Sequence, residues 1–166
     1  YIIVSNKYCN MKPSLMLLKP ATEYAECVAK SIDARMFSSG DIYHRVYQAW
    51  VSVADSIFEN MQIPMSASGN PEDVLDCLQP NRRKMRVEQI QGGYSIGYKS
   101  GGDTAILTTL PNGGMNLTFR PYGQKEEYST TYDISCYGPD SVAAVIAALF
   151  KANRILEYKF QRYLYR

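Results

Sequence analysis

The residues best suited to chemistry lie near the C-terminus, where cationic and aromatic side chains recur at helical spacing. Five of them are three or four positions apart and so share one helix face beside an apolar stripe: Lys151, Arg154, Tyr158, Arg162 and Tyr165. Ammonium and guanidinium groups neutralise phosphates and tyrosine rings stack on bases, a combination that suits single-stranded nucleic acid. Cations on a helix face also stay solvated and favour the negative end of the helix dipole. Both interpretations stay open.

The charge of the chain is uneven rather than large. The net charge is +2, yet residues 151–166 hold five cations and one anion, which gives +4 there and leaves −2 for the rest. A second basic cluster holds four cations in five positions: Arg82, Arg83, Lys84 and Arg86 around Met85. This cluster could contact phosphate, dock an acidic partner or act as a localisation signal. The alternative is a solvated loop at the mouth of a sheet.

Tyrosine is the most over-represented residue, with 14 copies against one Trp and 5 Phe. Such a count suits both half-buried strands and recognition surfaces. Tyr94 and Tyr98 fall on one face of a predicted strand, but alternation alone does not say which face is exposed. On an exposed face they would form an aromatic platform, and on the other face they would belong to the core.

The sequence offers little for metal or nucleophilic catalysis. His44 is the single histidine in the chain, which excludes metal sites and mechanisms that need two histidines. Asp41 is close enough on a helix to orient His44, but no recognisable nucleophile motif joins them. The four cysteines, Cys9, Cys27, Cys77 and Cys136, form no C-x-x-C pair and are interpreted as free thiols in a reducing, cytoplasmic environment. We therefore assign no catalytic residue, metal or cofactor, and no apolar run reaches the length of a membrane span.

Two glycine-containing segments invite comparison with nucleotide-binding loops. Gln91-Gly92-Gly93-Tyr94 and Ser100-Gly101-Gly102-Asp103 lack the lysine and the following helix that a phosphate loop needs. Strand patterns flank both, so hairpin turns are predicted.

The element order at the start of the chain, Leu15 to Thr22 followed by two helices and then strands, is similar to the opening of an acetyl-coenzyme A-dependent acyltransferase. That family would place a Gln/Arg-x-x-Gly-x-Gly/Ala loop at a helix start to hold the pyrophosphate. Here Gln89 to Tyr94 reads Gln-Ile-Gln-Gly-Gly-Tyr and leads into a strand. The resemblance makes an acyltransferase-like enzyme the third functional hypothesis.

Hydrophobic periodicity predicts an α+β fold in one domain spanning residues 1–166. Apolar residues at helical spacing predict helices over residues 21–36, 41–61 and 70–80. Period-two patterns from Tyr94 to Cys136 then predict an antiparallel meander of four to five strands. A long helix from Gly138 to the C-terminus, with Val142, Ile146 and Leu149 in its apolar stripe, should pack across one sheet face. Residues 1–14 are either an extension or a native first segment.

Because no acid, base, nucleophile or metal set assembles in the sequence, the first functional hypothesis is a non-enzymatic binding protein. It would act as a small inhibitor, adaptor or accessory subunit through a tyrosine-rich, locally basic surface, with another protein as partner. The second hypothesis is a nucleic-acid-binding module that uses the C-terminal helix and the Arg82–Arg86 cluster. Neither hypothesis involves a membrane, and both are compatible with homo-oligomerisation.

Overall fold

A computed structural model of the chain describes residues 18–32, 42–60, 70–78, 81–99, 103–120 and 129–164. Its helices are α1 (Leu18–Ser31), α2 (Ile42–Asn60), α3 (Pro71–Cys77) and α4 (Pro139–Leu164), with a short 3-10 helix over Asn81–Lys84. The strands are β1 (Met85–Ile90), β2 (Gly93–Tyr98), β3 (Thr104–Thr109), β4 (Met115–Arg120) and β5 (Thr130–Asp133). The predicted α+β class is confirmed.

The five strands form an antiparallel meander in the order β1-β2-β3-β4-β5, so each strand pairs with its neighbours in sequence. Gly92 and Gly113 occupy the hairpin turns with φ of +81° and +85°, a region that glycine adopts without steric cost. The predicted hairpin at Gly92 is therefore confirmed. β1 is an addition to the sequence-based account, which placed the first strand at Tyr94.

One sheet face is buried under helices, because apolar residues alternate with polar ones along the strands. In β4, Met115, Leu117 and Phe119 are buried while Asn116, Thr118 and Arg120 between them are only partly covered. We call the second side the outer sheet face. The register places these residues on it: Arg86, Glu88, Ser95, Gly97, Thr104, Ile106, Thr108, Asn116, Thr118 and Arg120.

Aromatic rings join the helices to the covered sheet face. Trp50 of α2 stacks on Phe119 with ring centroids 4.5 Å apart, and Phe150 of α4 meets Tyr98 edge-on at 5.0 Å. Both Trp50 and Phe119 are fully buried, so this pair anchors α2 on the sheet. The predicted amphipathic helix around Trp50 is thus confirmed as α2.

The first half of α4 is buried on every side. All residues from 141 to 150 are buried, including small ones such as Ala144 and Ala148. The sequence predicted a single apolar stripe facing the sheet, but α1, α2 and α3 also contact α4. A helix that is covered all round needs small and apolar residues on all its faces.

The last turns of α4 secure the end of α1. The Lys159 ammonium donates hydrogen bonds to the carbonyl oxygens of Ala29, Lys30 and Ile32, at 3.1, 2.5 and 2.7 Å. Carbonyls in the last turn of a helix lack the usual amide partner four residues on, and of these three the Ala29 carbonyl also accepts a 3.3 Å hydrogen bond from the Ile32 amide. A cation at the C-terminal end of a helix also meets the negative end of its dipole. Lys159 therefore caps α1 from another helix.

Candidate functional site

The outer face of α4 carries part of the predicted basic-aromatic surface. Lys151 is half-buried, Arg154 is exposed and Tyr158 is 61% exposed, which makes Tyr158 the exposed large hydrophobic side chain of the described residues. Glu157 and Lys159 lie on the flanks of this face, and both are hydrogen-bonded to other parts of the fold. The side chains of Arg162 and Tyr165, which complete the predicted set, lie outside the described residues.

Tyr94 and Tyr98 lie on the helix-facing side of β2. The Tyr94 hydroxyl donates a 2.9 Å hydrogen bond to the Glu72 carboxylate of α3, and that bond raises the pKa of the phenol. Burial raises the pKa of Tyr98, whose ring meets Phe150 on the covered side. The two rings therefore lie on the core side of the sheet, as the second interpretation expected, and do not form an aromatic platform on the outer sheet face.

The predicted basic cluster divides between two elements. Arg82, Arg83 and Lys84 lie on the 3-10 helix, whereas Arg86 lies in β1 on the outer sheet face. Lys84, Arg86 and Arg83 are exposed, and Arg82 is half-buried. The cluster is thus partly strand rather than the loop that the alternative interpretation expected.

Cations from three separate segments meet at one end of the sheet. The Lys99 amide donates to the Lys84 carbonyl at 2.8 Å, so the end of β2 adjoins the start of β1. The Arg154 guanidinium of α4 lies 4.8 Å from the centroid of the Tyr98 ring, next to Lys99 in sequence. The fold therefore brings the two predicted basic regions to the same end of the sheet.

An acidic pair, a buried Asp103 and a half-buried Glu157, lies at this end, and the sequence did not predict it. The Asn153 amide nitrogen donates to Asp103 at 2.6 Å and to Glu157 at 3.1 Å, and the Glu157 carboxyl is also hydrogen-bonded to Asp103. Burial and the negative charge of Asp103 raise the pKa of Glu157 to about 8. Two adjacent carboxylates repel each other, which favours the protonated form of Glu157. A polar Asn153 on the otherwise buried side of α4 was the available signal in the sequence.

A cavity of about 200 Å³ opens beside Asp103 on the outer sheet face. Its lining combines charged groups, hydroxyl groups and one glycine: Arg86, Glu88, Ser95, Gly97, Tyr98, Asp103 and Thr104. Gly97 leaves space at the bottom of the cavity because it has no side chain, and a Cβ atom there would lie 3.1 Å from the Asp103 carbonyl oxygen. No local pattern in the sequence predicts this cavity, since its lining residues come from three strands and from Asp103, which precedes β3.

The cysteines correct one sequence-based interpretation. Cys27 is disulfide-bonded, with its partner outside the described residues, so the prediction of a free thiol is wrong at this position. Cys77 and Cys136 are free and exposed. Burial is the main cause that raises the pKa of the Cys77 thiol, which makes it a weak nucleophile.

Two further expectations concern residues that are only partly covered by the structure. Asp41 and the side chain of His44 lie outside the described residues, and so does the turn at residues 100–102.

Within the described ranges, no group of three or more His, Cys, Asp or Glu side chains converges as a metal site would require. None of the described helices is both long enough and apolar enough to cross a membrane.

These residues define an α+β protein with a polar outer sheet face and a basic end. Comparison with known proteins finds no matching family model, no matching curated protein and no matching solved structure. Evidence for the function therefore comes from the geometry of this chain alone.

Proposed function

We propose that this chain is a non-enzymatic binding protein that engages a protein partner through the outer face of α4. The observation that carries the proposal is the 61% exposure of Tyr158, which lies about one turn beyond Arg154 and two turns beyond Lys151 on the same face of α4. Tyrosine and arginine are enriched at the centres of protein interfaces, where they supply large contact areas at low entropic cost. The core does not require the Tyr158 ring, since the ring remains largely in solvent.

A pull-down from the native source tests this proposal with three purified forms of the chain. Wild type should retain one protein partner after a wash at high salt, and Tyr158→Ala should weaken its retention at least about tenfold, as expected for a hot-spot residue. Glu59→Ala is the matched control, because it makes the same truncation at an exposed side chain on a different helix. Equal retention by wild type and Tyr158→Ala would refute the role of this surface.

A nucleic-acid-binding module is the second candidate, and the convergence of Lys84, Lys99 and Arg154 at one end of the sheet favours it. Phosphate contacts release counterions, so affinity for a labelled single-stranded oligonucleotide should fall steeply with added salt. The double charge reversal Lys84→Glu/Lys99→Glu should abolish that binding. Salt-insensitive binding, or none, would remove this candidate.

The proposed cytoplasmic location rests on the free thiols of Cys77 and Cys136. The disulfide at Cys27 counts against it, because stable disulfides are rare in reducing compartments. Trapping the thiols with an alkylating reagent during lysis of the native source decides the matter. Alkylation of Cys27 before reduction would support the cytoplasm, and its protection would refute that location.

A further inference from the structure

The cavity on the outer sheet face is bordered by cations on one side. Arg86 lines it directly, and Lys84 and Lys99 stand at the adjoining ends of β1 and β2. Arg120 is paired with Thr104 in the sheet register and adds a fourth positive charge on the same face. Two carboxylates, Glu88 and Asp103, line the same cavity, but the Asp103 carboxylate is hydrogen-bonded to Asn153 of α4, so the cations dominate at the Arg86 end.

The polar groups that line the cavity are available to a ligand. Arg86 and Glu88 are exposed, Ser95 and Thr104 are half-exposed, and none of these four side chains is hydrogen-bonded or ion-paired within the described part of the chain. The Thr104 hydroxyl lies 3.9 Å from the position that a Cβ atom on Gly97 would take, so it borders the open floor. The Asp103 carboxylate, by contrast, is already held by Asn153.

The lining of the cavity has a cationic end and an end with a carboxylate and a hydroxyl group. The guanidinium of Arg86 suits a phosphate dianion, since a guanidinium can donate two parallel hydrogen bonds to phosphate oxygens, and Lys84 and Lys99 occupy the adjoining backbone positions. Glu88 and Ser95 pair with each other in the β1–β2 register, two residues along the strands from the Arg86–Gly97 pair. A carboxylate accepts hydrogen bonds from hydroxyl groups but repels phosphate, so it suits the other end of the ligand.

We propose that this cavity binds a small phosphate monoester that carries hydroxyl groups, with its phosphate at Arg86 and its hydroxyls at Glu88 and Ser95. A cavity of about 200 Å³ accommodates a compound of this class. A single-stranded nucleic acid fits this site less well, because Tyr98 is the one aromatic residue in the cavity lining and its ring packs against Phe150 of α4, where it cannot stack on a base. The site is separate from the outer face of α4 and does not depend on the proposed protein partner.

Isothermal titration calorimetry with ribose 5-phosphate, ribose and inorganic phosphate tests the proposal on the full chain. The ester should bind saturably and at least about tenfold more tightly than either half alone, because it uses both ends of the cavity. Arg86→Gln should weaken ester binding at least about tenfold, a typical loss for one charge-assisted contact. Thr104→Val, which keeps the side-chain shape, should weaken binding severalfold.

Arg83→Gln is the matched control, because Arg83 is an exposed cation three positions from Arg86 that does not line the cavity. It should leave ester binding unchanged, and circular dichroism should show that all three variants fold. The proposal is overturned if the ester does not bind, if Arg86→Gln binds it as tightly as wild type, or if inorganic phosphate binds as tightly as the ester. Displacement of the ester by a single-stranded oligonucleotide at lower concentration would overturn it in favour of nucleic acid.

Discussion

Replacing Lys159 by methionine should destabilise the protein although the residue lies in no proposed binding surface. The Lys159 ammonium donates to three carbonyl oxygens at the end of α1, and methionine keeps most of the side-chain length without the charge. A hydrogen bond to a charged group contributes about 1.5–3 kcal/mol net. Ordering a lysine side chain costs up to about 2 kcal/mol, which offsets part of the gain from several such bonds.

We therefore expect Lys159→Met to lower the free energy of unfolding by about 2 kcal/mol, since the carbonyl oxygens of Lys30 and Ile32 at the end of α1 also lose this partner. For a chain of this size that corresponds to a decrease in Tm of about 4–8 °C. Urea unfolding followed by circular dichroism measures the change. The three acceptors are spread over four residues of α1, so loss of the cap should also increase amide exchange there.

Lys151→Met is the matched control, because it makes the same substitution two turns earlier on α4. Lys151 forms no hydrogen bond or ion pair within the described residues, so its replacement should change the free energy of unfolding by less than about 0.5 kcal/mol. Equal losses in the two variants would refute the capping role and point to a general effect of charge on α4. A loss below about 0.5 kcal/mol in Lys159→Met would refute it as well.

Three further predictions concern the acidic pair, the sheet and the disulfide. The pKa of Glu157 in the folded protein, about 8, lies above that of an unfolded glutamate, so the free energy of unfolding should fall as pH rises from about 5 to 8, by less than about 1.4 kcal/mol per pH unit. Urea titrations at several pH values should show a flatter pH profile for Glu157→Gln than for wild type, and parallel profiles would contradict the assignment. Gly93→Ala should lower the free energy of unfolding in urea by about 2–3 kcal/mol, because its Cβ would lie 1.7 Å from the Leu107 carbonyl oxygen. Gly92→Ala should lower it by about 1 kcal/mol, and similar losses in the two variants would argue against the β2–β3 register. In the purified protein, peptide mapping should find Cys27 alkylated only after reduction, and alkylation without reductant would disprove the disulfide. Reduction should also lower the free energy of unfolding by about 2–4 kcal/mol.

Local patterns in the sequence were sufficient to predict most of the elements. The spacing of Val46, Trp50 and Ile57 predicted α2, and the order Asn70-Pro71-Glu72-Asp73 predicted α3, where Asn70 and Asp73 form a capping box. Alternation predicted the strands from Tyr94 onward. Each of these signals depends on neighbours within a few residues, which is the range over which helix and strand periodicity acts.

Features that depend on distant pairs could not be predicted. Alternation showed that Tyr94 and Tyr98 share a face, but only the packing of α4 on the sheet decides which face that is. The acidic pair joins Asp103 to α4, and its bridging Asn153 is 50 positions from Asp103. The disulfide at Cys27 was missed for the same reason, since widely spaced cysteines reveal no pairing. The binding role of the α4 surface stays a prediction.

The complete burial of residues 141–150 also bears on the order in which the protein can fold during synthesis. The meander has short-range pairings and can form soon after residue 133 leaves the ribosome. Its apolar face, however, has to wait for α4, which is the last described element to be made and lies between the sheet and α1. Until then the part of this face that Phe150 of α4 covers, at Tyr98, remains open to wrong contacts. Nascent chains stalled before α4 should therefore bind chaperones, and release of α4 should end that association.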